Sequence, residues 1–199
     1  MFITLEGIDR SGKTTQAAML AEALGTGTLL LREPGGTKAG ELMRTMLKDP
    51  ALALDPAAEL LLFSAARAQL IREVIQPALE AGRDVVCDRF SDSTVAYQGV
   101  ARGLGTEKVE RLNELVVGDC LPDITLLLRI DPADAFYRQA EIDDRFESEG
   151  LDFQRHVAGA YDELAKGHPD RIVSIDAQGS PDEVHAEVMA AIAERRDRG

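Results

Sequence analysis

Apolar residues recur along this chain in two alternating rhythms. Five short, nearly continuous apolar runs, Phe2–Leu5, Thr28–Leu31, Val85–Cys87, Ile124–Ile130 and Ile172–Ile175, have the length and content of buried strands. Between them the spacing changes to that of helices. Ala17, Leu20, Ala21 and Leu24 mark one face of a helix over Lys13–Leu24, ended by Gly25. Gly40–Leu47 predicts a short helix. Asp55-Pro56 supplies a cap and a first-turn proline for a longer one, whose apolar positions run from Leu60 through Phe63 to Leu70 and Ile71. Pro77 starts a new segment that ends at Gly82. Ser91–Gln98 begins a further helix, Arg102-Gly103-Leu104-Gly105 breaks it, and Thr106 is placed to cap the next one to about Val117. A helix over about Leu151–Ala165 and a terminal one to about Arg195, entered by the capping box Ser180-Pro181-Asp182-Glu183, complete the series. Strands alternating with helices predict an α/β chain: a three-layer, doubly wound fold with a five-stranded parallel sheet.

The first strand runs into Gly7-Ile8-Asp9-Arg10-Ser11-Gly12-Lys13-Thr14, and the first helix follows at once. This is G-x-x-x-x-G-K-[ST] in its required strand–loop–helix setting, which narrows the fold to the phosphate-loop NTPase type. Glycines let successive N–H groups turn in around phosphate oxygens, Lys13 reaches the β- and γ-phosphates, and the Thr14 hydroxyl is a ligand for Mg²⁺. The other strand ends carry polar groups too, where ligands sit in open α/β sheets. Arg32-Glu33-Pro34-Gly35-Gly36-Thr37 follows the second strand, as a tight turn or as part of a site. Asp88-Arg89 follows the third: the Asp can hold Mg²⁺ directly or through water or orient a hydroxyl, and the guanidinium matches an acceptor phosphate. Phe63 and Arg67 share a helix face, either as core or as a ring and a donor for a nucleobase. Ser93, Thr94, Tyr97 and Gln98 display groups able to read a sugar and a base edge.

With 199 residues and 45% hydrophobic content, the chain has material for one substantial core, read here as a single domain over 1–199. No apolar run is long enough for a bilayer and no signal peptide opens the chain, so the expected location is the cytoplasm. A net charge of −13 argues against generic nucleic-acid binding. Two cysteines and three scattered histidines indicate neither a zinc site nor a disulfide framework. The charged stretch Arg138–Glu149 reads as a short lid within 138–150 or as a solvated surface.

Taken together, Gly7–Thr15, Arg32–Thr37, Leu62–Arg67 and Asp88–Gly99 resemble, in order, the thymidylate kinases, a family of nucleoside-monophosphate kinases. The resemblance implies ATP as donor, dTMP as acceptor, Mg²⁺, and a homodimer. It implies that the phosphate loop Gly7–Thr15 and Arg138 hold ATP, that Phe63 stacks on thymine, and that Arg67 meets a base carbonyl. Thr94 and Gln98 would lie at the base edge beside Ser93, Tyr97 under the deoxyribose, and Asp9 at the 3′-hydroxyl and near the metal with Thr14 and Asp88. Arg44 and Arg89 would bind the acceptor phosphate, with Glu33 turned in by a cis peptide before Pro34. One departure matters. The lid segment is acidic where many bacterial members are basic, and Arg10 stands inside the phosphate loop, so Arg10, with Lys13, Asp9 and Arg89, is the expected catalytic set and Arg145 the fallback. A kinase for another nucleoside monophosphate, or a nucleotide-dependent switch, are the competing readings.

Overall fold

The computed structural model describes residues 1–137 and 149–197. Five strands, β1 (Phe2–Glu6), β2 (Leu29–Arg32), β3 (Val85–Asp88), β4 (Ile124–Arg129) and β5 (Ile172–Asp176), form one parallel sheet in the order β2-β3-β1-β4-β5. Among the described residues the helices are α1 (Lys13–Leu24), α2 (Lys38–Lys48), α3 (Pro56–Leu70), α4 (Gln76–Glu80), α5 (Ser91–Thr94), α6 (Thr106–Val117), α7 (Pro132–Tyr137), α8 (Leu151–Gly167) and α9 (Pro181–Asp197). Helices α1 and α9 pack on each other and on the sheet. On α8 packs the π-helical turn Val95–Ala101, which also meets α6 and α3. The sheet lies between these layers, and strands β1, β3 and β4 are almost wholly buried, as their continuous apolar runs require.

Local chemistry explains most of the boundaries. Asp55 caps α3, its Oδ1 accepting from the Ala57 N–H at 2.8 Å, and Thr37 caps α2 through Gly40 N at 2.9 Å. The predicted capping box also forms, with Glu183 Oε2 accepting from the Ser180 N–H at 2.8 Å. Pro77, by contrast, does not begin a new segment. The helix continues from α3 into α4 through a π-helical stretch, Ile71–Ile75, in which Gln76 N–H donates to Ile71 O five residues back. A proline lacks the N–H and crowds the carbonyl four residues earlier, and a widened turn just before it relieves both problems. Thr106 is likewise not a cap: it is the first residue of α6, and Gly105 precedes it at φ 92° with no side-chain bond. Helix α7, at the edge of the charged stretch, was not predicted. Arg138 and Arg145, and the lid reading for 138–148, lie outside the described residues.

The strand order places the crevice between β1 and β3 where chain direction reverses, since the connection after β1 runs toward one sheet edge and that after β3 toward the other. Ligands in open α/β sheets bind outside the carboxyl ends of strands at such a point. The phosphate loop leaves β1 there, and Asp88-Arg89 leaves β3 beside it.

Candidate active site

The phosphate loop is shaped by its backbone. Gly7 sits at φ 141°, and a Cβ on it would stand 2.6 Å from Leu128 O and 2.9 Å from Ser11 Oγ. Gly12 enters α1 at φ 94°. A side chain at either position would meet strain, and at Gly7 a collision as well. Lys13 is buried and folded back into the loop, Nζ donating to Ile8 O at 2.5 Å and to Ser11 Oγ at 3.3 Å. Burial, reinforced by Arg89, pulls the Lys13 ammonium down to about 8. Thr14 Oγ1 donates to Asp88 Oδ2 at 2.6 Å, joining the loop to the end of β3. Asp88 Oδ1 is buried without a hydrogen-bond partner among the described residues. A hydroxyl beside an unsatisfied carboxylate oxygen is a donor set suited to a hard cation such as Mg²⁺.

Arg89 follows at φ 70°, a left-handed conformation that turns its side chain back over the loop. Its guanidinium is held by Asp9 Oδ1, Gly7 O (3.2 Å), Ser93 Oγ (3.3 Å) and Tyr97 Oη (3.3 Å), and it lies 5.0 Å over the Tyr97 ring. Asp9 accepts a second bond at Oδ2 from Gln154 Nε2 of α8, 2.9 Å away. Burial pushes the Asp9 carboxyl up, but Arg89 and Lys13 outweigh it and hold the group below its usual range. With both oxygens committed, Asp9 fits the metal less well than Thr14 and Asp88 do.

Glu33 and Arg67 form a buried ion pair beside this site. Arg67 Nε and Nη2 donate to Glu33 Oε2 at 2.9 and 2.6 Å, Nη2 also to Phe90 O at 2.9 Å, and Nη1 to Asn113 Oδ1 at 3.2 Å and Thr94 Oγ1 at 3.3 Å. These five bonds use every N–H of the guanidinium. Burial pushes Glu33 up to about 7 against the opposing pull of Arg67. Its Oε1 has no partner among the described residues.

A cleft of about 620 Å³ opens over these groups. Of the residues singled out in the sequence, Asp9, Arg10, Lys13, Thr14, Glu33, Pro34, Arg44, Phe63, Asp88, Arg89, Ser93, Thr94, Tyr97 and Gln98 line it. The peptide before Pro34 is cis, and Arg44 Nη1 donates to Pro34 O at 2.8 Å. Arg67 does not line the cleft: it is 1% exposed and stands behind the wall, its donors spent on protein. Gly7, Ile8, Ser11, Gly12 and Thr15 belong to the loop but not to the lining. Arg10, at φ 66°, lines the cleft yet leans on α7, Nη1 donating to Phe136 O at 3.2 Å.

Several buried polar partners escaped the sequence reading. Glu6, at the end of β1, is fully buried and accepts from Phe90 N (2.8 Å), Ser93 N (3.1 Å), Ser93 Oγ (2.6 Å) and Tyr161 Oη (2.7 Å). It thereby ties the phosphate-loop strand to the start of α5. Burial, with Asp92 nearby, holds its carboxyl above the usual range. An acid closing an otherwise apolar strand was the only available signal. Gln154, Asn113 and Glu59 offered none.

A loop built for phosphates, a hydroxyl–carboxylate pair suited to a divalent cation, and a second guanidinium aimed into the same cleft define a phosphate-loop phosphotransferase. A family model for thymidylate kinase matches residues 5–188. The chain is 44% identical to the thymidylate kinase of Deinococcus radiodurans over 98% of its length and 97% of that protein's, and 49% identical to one from a Synechococcus strain over 98% and 95%. A crystal structure of thymidylate kinase from Ehrlichia chaffeensis superposes with a TM-score of 0.81 at 36% identity, covering 96% of this chain and 98% of that one. The chain belongs to the thymidylate kinase family.

Proposed function

We propose that this enzyme, working as one kinase domain, transfers the γ-phosphoryl group of ATP to the 5′-phosphate of dTMP, giving ADP and dTDP. The observation that carries the reading is that a single cleft is lined both by Lys13 and Thr14 of the phosphate loop and by Arg89, Phe63 and Tyr97. It can hold a donor and a phosphorylated nucleoside acceptor together, which is the condition for direct transfer.

Lys13 exchanges the Ile8 carbonyl for the β- and γ-phosphates as ATP seats, and the loop N–H groups complete the cradle. Arg89, aimed by Asp9 and Tyr97, takes the acceptor phosphate, with Arg44 beside it. Arg10 leaves Phe136 and supplies positive charge between the two phosphates. Phe63 offers its ring to the base. Arg67 braces the wall behind the base, and to meet a base carbonyl, the role the resemblance implies, it would share one of the five N–H donors now bonded to protein. Mg²⁺ would be held by Thr14 and Asp88 and would neutralise charge on the β- and γ-phosphates. No covalent step on the protein is required, because alignment and charge neutralisation carry phosphoryl transfer.

Exposed Leu42 and Met46 on α2, Leu61 on α3 and Leu115 on α6 lie on helices that pack in sequence, α2 on α3 and α3 on α6. This apolar surface supports a homodimer, which Leu61→Asp with Leu115→Asp would reduce to monomers in light scattering. No described helix is long and apolar enough to cross a membrane, and we place the enzyme in the cytoplasm.

The test is a coupled ADP-release assay with Mg-ATP and dTMP, dUMP, dCMP, dGMP, AMP or thymidine. Strong preference for dTMP is expected. Preference for another monophosphate would keep the kinase and overturn the base assignment, and turnover without any acceptor requirement would overturn both.

A further inference from the structure

Gln98 lines the cleft with its side chain almost closed off from solvent, and one end of its amide is already committed. Nε2 donates to Glu59 Oε1 at 2.7 Å. Glu59 lies at the start of α3, its own N–H bonded to the cap residue Asp55, and it is 1% exposed. The positive end of the helix favours a carboxylate there. Arg102 Nε approaches the same oxygen at 3.4 Å, and Arg102 is itself fixed by Glu149 at 2.5 Å and by the Phe153 ring 4.9 Å from its guanidinium carbon. A carboxylate oxygen with an arginine against it accepts and does not donate, so only the nitrogen end of the Gln98 amide can face it. Nε2 keeps a second N–H, but with the nitrogen end held at Glu59 the far end of the amide is Oε1, so a hydrogen-bond acceptor is the group turned away from Glu59 toward the cleft.

We propose that Glu59 is a positioning residue for base choice: by anchoring the Gln98 amide nitrogen, it presents an acceptor to the pyrimidine edge and so selects bases that carry an N3–H. The inference rests on the assignment of dTMP as acceptor and goes further, to what the site measures. Thymine and uracil place a donor at N3. Cytosine places a lone pair there, which would face the lone pairs of Oε1 in a site too closed for water to intervene cheaply. The 5-methyl group plays no part in this contact. Discrimination through Glu59 therefore divides keto from amino pyrimidines and leaves thymine and uracil alike.

The experiment compares wild type with Glu59→Gln on three acceptors, dTMP, dUMP and 5-methyl-dCMP, the last keeping the methyl group while altering the edge. A glutamine at position 59 can present either end, which frees the Gln98 amide to turn. The expected result is a fall of roughly tenfold in the kcat/KM ratio of dTMP to 5-methyl-dCMP, the worth of one net hydrogen bond, carried mainly by KM, with the ratio of dTMP to dUMP unchanged. A folded variant whose three acceptors decline in parallel, or whose dTMP to 5-methyl-dCMP ratio holds, overturns the inference while leaving the kinase assignment intact. Wild type that is idle on dTMP overturns both. If the single variant does not fold, Glu59→Gln with Gln98→Glu restores one carboxylate and one amide with donor and acceptor exchanged, and again turns an acceptor outward. Retained preference for dTMP over 5-methyl-dCMP in that double variant supports the inference, and loss of the preference overturns it.

Discussion

On the phosphate-loop side of the cleft Lys13 rests on the Ile8 carbonyl and Arg10 on that of Phe136, whereas on the side proposed for the base Arg67 is locked to Glu33 and Gln98 to Glu59. The first pair of contacts joins cations to neutral backbone oxygens. A phosphate carries more charge than a carbonyl and displaces it readily. The second pair ends on buried carboxylates, which a neutral base cannot displace. One wall is thus made of exchangeable cations and the other of a fixed polar scaffold. Arg89 stands between, held by the Asp9 carboxylate yet facing the cleft. Under the proposed assignment the difference follows from the ligands: charge recognition would work through groups that let go of weak partners, and base recognition through groups that cannot turn.

The sharpest way to break this comparison is at Arg10. Arg10→Ala should lower kcat by ~10³ or more with little change in KM, since an arginine meeting the transferring phosphoryl group acts mainly in the transition state. Comparable loss confined to Arg145→Ala would move the role there. Next comes the scaffold. Glu33→Ala leaves the Arg67 guanidinium buried without its counter-charge, and should cost about 3–5 kcal/mol of unfolding free energy in urea titrations; a cost near zero would mean the wall is not fixed at all. Glu33 also gives the pH dependence a sign. Its folded pKa of about 7 lies above the ordinary 4.5, so the folded chain binds this proton more tightly. Its contribution to stability is full below about 4.5 and declines as pH rises through about 7. The stability of wild type relative to Glu33→Gln should accordingly fall over that window. The smallest effect concerns Lys13. With the ligand-free ammonium near 8, ATP binding at pH 8 should take up roughly half a proton, because the polyanion restores the charged form. Calorimetry in buffers of different ionisation heat measures this uptake, and none at all would mean that Lys13 is already fully charged on its carbonyl.

The exchangeable side was largely legible in the sequence and the fixed side was not. Gly7 to Thr14 is a local pattern whose physics is complete in eight residues, and the apolar strand before it and helical spacing after it set its position in the fold. Asp88-Arg89 was legible for a similar reason, as the polar end of an apolar strand. Glu59 and Asn113 look like any polar residue on a helix, and their roles arise only when Gln98 and Arg67 arrive from 39 and 46 residues away. Gln154 reaches Asp9 across 145 residues. The same holds for Arg67: its helix face was readable, but not the partners that take up its donors. Pro77 misled because its local preference, to end a helix, was met instead by the π-helical turn before it.

Arg10 and Arg89 are the two residues other than glycine whose backbones adopt positive φ, at 66° and 70°, among the described residues. Such a conformation costs an ordinary side chain on the order of 1 kcal/mol, and glycine or asparagine much less. Arg89 offsets that cost through its ion pair with Asp9 and its bonds to Gly7, Ser93 and Tyr97, and losing it would leave the Asp9 carboxylate without its counter-charge. Arg10 has less to lose, the carbonyl and ring of Phe136, so position 10 is where heat tolerance and turnover pull in opposite directions. A library of variants sorted only for survival at high temperature would accumulate Gly or Asn at 10, keep arginine at 89, and emerge sturdier and slow.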